Sequence, residues 1–240
     1  MANIHFWGGG PYHPIQAQAA KLGERLQPLG HELVYGTSRS MFEPHQLQAA
    51  DLLILAGLDW SGITKVQPER WVEAQTIPEE YVPLSDQHFT SIMSHLQKGK
   101  PLLCHHSALL SFDERSEFTE VFDGRWIDGQ STHPPYQEFT VSVCDRAHPI
   151  TAGLDDFRIS DEIYYNLVEP RRSTVLLETE FEGRKWPLAW AGAYGNARIV
   201  FSALGHDMGS YASEGLMALL INSVGWLLET SETQQETRNS

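Results

Sequence analysis

Four histidines and one glutamate, far apart in the chain, stand where chemistry could use them. His13 follows Gly8-Gly9-Gly10, and His106 follows the apolar run that ends at His105. His206 follows RIVFSALG, His133 is fixed between Thr132 and Pro134-Pro135, and Glu162 sits beside Asp161 in RISDEIYYN. Neutral imidazoles and carboxylate oxygens are ordinary ligands for zinc or a similar divalent ion. The same groups without a metal serve as general acid and base near neutral pH. No HExxH spacing is present, so spacing leaves the two chemistries open. Any one of these histidines alone reads as a hydrogen-bonded loop residue, and the Asp161-Glu162 pair as a solvated loop. The shared topological address of His13, His106 and His206 argues for more.

That address comes from the elements that must carry them. Ile4–Trp7 reads as a strand stopped by glycines, and Ile15 to Leu29 as a helix with Ile15, Ala19, Leu22 and Leu26 on one face, stopped at Gly30. Glu32–Tyr35 and Asp51–Ala56 read as strands, the second apolar enough to be covered on both faces. Asp86–Lys98 is expected as a helix closed by Gly99, and Pro101–His105 as a fourth strand. This alternation predicts a doubly wound α/β fold with a mostly parallel sheet. In such sheets ligands bind beyond the carboxyl ends of the strands, where His13, His106 and His206 all fall. Downstream, Glu117–Phe122 is expected as helix, and Glu138–Cys144, Val175–Glu178, Pro187–Ala191 and Arg198–Ala203 as strands. Tyr194-Gly195-Asn196 is read as a turn and Leu216–Leu228 as a closing helix. Residues 1–229 are expected to form one domain and 230–240 a polar, disordered tail.

Composition narrows the partners. A formal net charge of −14 over 240 residues argues against nucleic acid and anionic membrane. The N-terminus MANIHFWGGG lacks signal-peptide character, no apolar stretch is long enough for a membrane span, and two cysteines do not make a disulfide framework. A cytoplasmic protein is expected. Residues 57–84, rich in proline and aromatics, are read as a lid or as a dimer surface, so a homo-oligomer stays open. Trp60, Trp71, Tyr136, Tyr164, Tyr165 and Trp190 could offer stacking faces to a sugar ring.

Cys104 suggests a thiol nucleophile with His106 or His206 as base. A nucleophile elbow wants small neighbours, however, and Cys104 lies between Leu103 and two histidines. The expectation is that Cys104 points into the core and His106 occupies the elbow.

Six segments then carry a family resemblance: GGGPYH (8–13), LLCHHSA (102–108), THPPYQEFTVSVCDRAHPITAGL (132–154), SDEIYYN (160–166), WPLAWAGAYGNARIVFSALGHDMGSY (186–211) and INSVGWLL (221–228). Together they resemble the ThuA-like, trehalose-utilisation family of the class I glutamine amidotransferase-like superfamily. The resemblance implies a flavodoxin-like three-layer α/β/α sandwich. It matches the family's Gly-rich loop and histidine to Gly8–Gly10 and His13, its strand-end histidine to His106, its His-Pro motif to His133-Pro134, its Asp-Glu pair to Asp161-Glu162 and its Gly-His to Gly205-His206. Where amidotransferases carry the nucleophilic cysteine this chain has His106, so glutaminase activity is not expected. His105 and Cys104 depart from the family's residues before that histidine. The family's association is with catabolism of trehalose and related disaccharides at the level of keto-sugars.

The expectation is an enzyme acting on a small carbohydrate, with His106, His206 and Glu162 catalytic. Gly9, Gly10, His13, His133, Asp161 and Tyr164 are the candidate substrate contacts. His13, His106, His133, Glu162 and His206 are the candidate ligands for a divalent metal such as zinc. The competing expectation is a non-catalytic sugar-binding or interaction module on the same scaffold.

Overall fold

The computed structural model describes residues 1–73 and 77–229. The tail expected to be disordered, 230–240, lies outside the described residues. A nine-stranded sheet forms the centre: β1 (Ala2–Trp7), β2 (His31–Gly36), β3 (Leu52–Leu55), β4 (Leu102–His105), β5 (Gln137–Val143), β6 (Phe157–Asp161), β7 (Thr174–Phe181), β8 (Arg184–Tyr194) and β9 (Ala197–Ser202). Their order across the sheet is β2-β1-β3-β4-β9-β8-β7-β5-β6. Helices α1 (Ile15–Leu26), α2 (Pro44–Ala49), α3 (Asp86–Gln97), α4 (Phe118–Phe122) and α5 (Glu214–Leu228) complete the architecture.

The expected α/β fold is present, but the sheet is mixed rather than mostly parallel. β2, β1, β3, β4 and β9 run parallel, as the βαβ alternation requires. From β9 outward every pairing is antiparallel. For β7–β8 and β8–β9 the cause is short connections. β7 and β8 are joined by Glu182-Gly183, both at positive φ, and β8 and β9 by Gly195-Asn196. Two-residue loops can only return a strand antiparallel to its neighbour. The sequence also gives no warning of β6, whose buried residues alternate with the exposed Arg158 and Ser160.

Side-chain alternation sorts the core onto two faces. Leu52 and Ile54 pack with Ile15, Leu22, Leu219 and Leu220 of α1 and α5. Leu53 and Leu55 pack with Ile92, Leu96, Phe118 and Phe122 of α3 and α4. Helices therefore cover both faces, and strands buried on both sides must be apolar throughout. α3 is started by the Ser85 side chain, which accepts from the His88 N–H, and Gly99 ends it at φ +78°. Among the described residues no helix is long and apolar enough to cross a membrane.

Residues 57–84, apart from 74–76, which lie outside the described residues, form their own small core. Leu58, Trp60, Ile63 and Val66 are buried together, with Trp71, Tyr81 and Leu110 packed against them. This core sits beyond the carboxyl end of β3.

Candidate active site

The parallel strands β1, β4 and β9 end at the same edge of the sheet, and each delivers a histidine there. After β1, Gly9 and Gly10 turn at φ +103° and +97°. A Cβ on Gly10 would lie 2.2 Å from the Leu58 carbonyl oxygen, so the backbone can pass there only as glycine. His13 follows, buried, with Nδ1 3.0 Å from the Pro11 carbonyl. After β4, His106 takes φ +48°, the left-handed turn of an elbow. Its Nδ1 lies 2.5 Å from the Ala203 carbonyl. A carbonyl only accepts, so in both residues Nδ1 carries the proton and Nε2 keeps the lone pair.

His206 arrives after β9, and Glu162 after β6. Although β6 is last in the sheet order, its end is tied to the loop after β9 by Asp161. That carboxylate accepts from the N–H groups of Gly205 (2.7 Å), His206 (3.1 Å) and Glu162 (2.8 Å). The ring centroids of His13 and His106 are 4.8 Å apart, those of His13 and His206 4.9 Å, and those of His106 and His206 5.6 Å. Glu162 Oε2 is 3.3 Å from His206 Nδ1 and 3.7 Å from His106 Nε2, and Glu162 Oε1 is 3.4 Å from His133 Nδ1. One donor atom each from His13, His106, Glu162 and His206 falls within 4.8 Å of the others.

Burial and mutual crowding keep two of these imidazoles neutral. Burial, then the neighbouring His206, push His13 down to about 3. Burial, then His13 and His206, push His106 well below the ordinary range. Burial also pulls on His206, but the carboxylates of Glu162 and Asp161 outweigh it and leave this residue raised. His206 Nδ1 is buried without a hydrogen-bond partner despite its nearness to Glu162. A free lone pair on His13, an orphaned ring nitrogen on His206 and the Glu162 carboxylate fit a divalent cation, and His106 Nε2 joins them only where the Tyr164 hydroxyl turns away from it. His133, with its side chain 40% exposed, stands at the edge of this set.

A cleft of about 580 Å³ opens over the cluster, lined by His13, His133, Glu162, Tyr164 and His206 among others. Several expected contacts fall elsewhere. His106 is completely buried beneath the floor, where its Nε2 receives the Tyr164 hydroxyl at 2.9 Å, so it does not face a ligand directly. Asp161 is completely buried and spends its oxygens on backbone N–H groups, which makes it a positioning residue. Gly9 and Gly10 line a smaller cavity on the other side of Leu58. Of the aromatics, Trp60 and Tyr164 line the cleft. Tyr136 lies beside His206, whereas Trp190 is core, packed on Phe201, and Tyr165 packs on Phe181 and Trp186.

The sequence reading missed Tyr12, Ser107, Leu110 and Trp126, which also line the cleft. Ser107 and Leu110 follow the elbow directly, so the strand-end rule could have found them. Trp126 has no such signal, because its place depends on the long-range bridge of Arg125 to Val168.

Cys104 is completely buried among Leu55, Phe118 and Phe201, and burial pushes its thiol well up. A thiolate nucleophile needs the opposite. Iodoacetamide on the native protein is therefore expected to modify Cys144, which is exposed, and to spare Cys104 until denaturant is added. Peptide mass spectrometry reads the result, and native labelling of Cys104 with loss of activity would restore the thiol mechanism. His105 faces the other side of β4, with its Nε2 2.8 Å from the Tyr211 hydroxyl. Burial pushes it to about 3.

The family model described as ThuA, trehalose utilisation, matches residues 5–227. The chain belongs to the ThuA family. Among solved structures, a ThuA-like protein from Parabacteroides merdae is 20% identical, with a TM-score of 0.73 over 95% of this chain and 90% of that one. A ThuA-like protein from Bacteroides uniformis is 17% identical, with a TM-score of 0.70 over 94% and 90%. A glutamine amidotransferase from Thermotoga maritima is 11% identical, with a TM-score of 0.54 over 95% and 98%. These identities speak for the fold. No curated protein matches the chain.

Proposed function

We propose that this ThuA family member acts on a keto-sugar, with Glu162 as the base and a divalent cation held by His13, His106 and His206. The observation that supports this most is the convergence of those three imidazoles and Glu162, with donor atoms within 4.8 Å of one another. His106 is too deeply buried to reach substrate, which argues against direct acid–base work, and it can serve as a ligand once the Tyr164 hydroxyl releases its Nε2. The ion, when bound, supplies Lewis-acid polarisation of the substrate carbonyl.

The protein's own residues do the rest. A carbonyl acidifies the adjacent C–H, and Glu162, lining the cleft, is placed to take that proton. His133 Nδ1 lies 3.4 Å from its other oxygen and 2.9 Å from the Pro134 carbonyl, both acceptors, so this N–H helps to orient the carboxylate. Tyr164 and the indole of Trp126, with ring centroids 4.7 Å apart, wall off one side and restrict water.

Metal analysis of the purified, untagged protein tests the cluster. A stoichiometric divalent ion, zinc or similar, is expected in the wild type, and its loss in a His106→Ala, His206→Ala double variant that retains its circular-dichroism spectrum. A metal-free wild type that takes up no ion on reconstitution would leave a buried histidine core and remove the Lewis-acid half of the reading.

A further inference from the structure

The cleft has two chemically different ends, and the difference bears on what the second half of the substrate is. One end is the cluster of His13, His133, Glu162 and His206. Leu58, Trp60 and Leu110, which pack together, form an apolar wall with Val72, while Trp126 lies beside His133 and Tyr164. Among the described residues, the charged groups on that outer wall are Glu69 and Arg70, both exposed. No side-chain amide lines the cleft among the described residues.

This wall is built rather than incidental. Leu58 and Trp60 are 5% and 8% exposed and are braced from behind by Ile63 and Val66 in the separate core of residues 57–84. Leu110, half-buried, packs against the same core from the elbow side. The aromatic and aliphatic faces are thus held in place before any ligand arrives, which lowers the ordering cost of binding.

A disaccharide fits such a surface poorly. Its second ring carries hydroxyls around its whole rim, and each one desolvated against leucine or valine without a partner is penalised. A flat apolar ring has no such groups and gains from burial against indole and aliphatic carbon. We propose that the site takes a glycoside whose aglycone is an aromatic ring, with the sugar toward the histidine cluster and the ring against Leu58, Trp60 and Leu110. This rests on the reading of the cluster as the sugar-processing end.

Equilibrium binding to the purified protein, with and without added divalent ion, by tryptophan fluorescence and calorimetry, compares phenyl α- and β-glucopyranoside with trehalose. One phenyl glucoside is expected to bind at least about tenfold more tightly than trehalose. Leu110→Asn is expected to narrow that gap several-fold. Val72→Asn, at a position 54% exposed where folding is not at stake, is expected to narrow it to a smaller degree. Trehalose binding as tightly as the aryl glucosides overturns the inference, as does a preference that neither variant alters or an absence of binding by all three sugars. Loss of the metal reading would leave this selectivity unaffected, so the two ideas fail separately.

Discussion

Glu162→Gln is expected to lower turnover of a keto-sugar substrate by about 10²–10⁴-fold, the range that a positioned general base contributes. The glutamine is nearly isosteric and keeps an oxygen toward the cluster, but it cannot hold a proton taken from carbon. Nothing in the fold depends on the charge, since the side chain lines the cleft at 10% exposure and its neighbours are His106, His133 and His206. The variant is therefore expected to fold normally and to retain its metal on the three imidazoles. Loss of metal together with turnover would make Glu162 a ligand instead of the base. Wild-type turnover would remove it from the chemistry altogether. A non-catalytic module predicts a third pattern, in which neither protein turns over substrate and both bind sugar equally.

How much of this was legible depends on where each residue's partners lie. β3 and β4 could be read because strands covered on both faces are apolar along almost their whole length, and β1 because its run Ile4–Trp7 is stopped by glycines. β6 could not, because Arg158 and Ser160 on its open face look like loop residues when read singly. The turn at Gly195-Asn196 was visible, and with it an antiparallel β8–β9 hairpin, yet the expectation of a mostly parallel sheet was carried over from the first half. The strand-end histidines were legible because a general rule places ligands there. The division of labour between Asp161 and Glu162 was not. Two adjacent acids at a strand end point to opposite sides, and the sequence does not say which side is the crevice. Nor does it reveal that the partners of Asp161 are backbone N–H groups, which leave no side-chain signature. The segment 57–84 was read as lid or interface for a similar reason: its aromatics signal burial without saying against what. They bury against one another and present a wall to the cleft.

The same carboxylate gives the largest expected effect on stability. Asp161→Ala would leave the N–H groups of Gly205, His206 and Glu162 without their acceptor in a buried place. At about 1–3 kcal/mol for each of the three stranded groups, the loss should be on the order of 3–9 kcal/mol, a large part of a typical domain's stability. Chelator-treated protein must be used, since a bound ion would add its own stabilisation. Asp161→Asn separates charge from hydrogen bonding. Burial pushes the Asp161 carboxyl up to about 7, against the pull of the N–H groups of Gly205, Glu162 and His206. Between about pH 4 and 7 the folded protein then holds a proton that the unfolded chain releases, so this group's contribution to stability falls as pH rises through that window. Asparagine cannot titrate, and its urea midpoint should lose this part of the slope between pH 4 and 7. An Asp161→Ala protein that unfolds at the wild-type urea concentration would mean that water satisfies all three N–H groups. The loop carrying His206 would then owe its position to Gly205 instead, whose φ of +116° and tight packing on the His105 ring leave no room for a side chain.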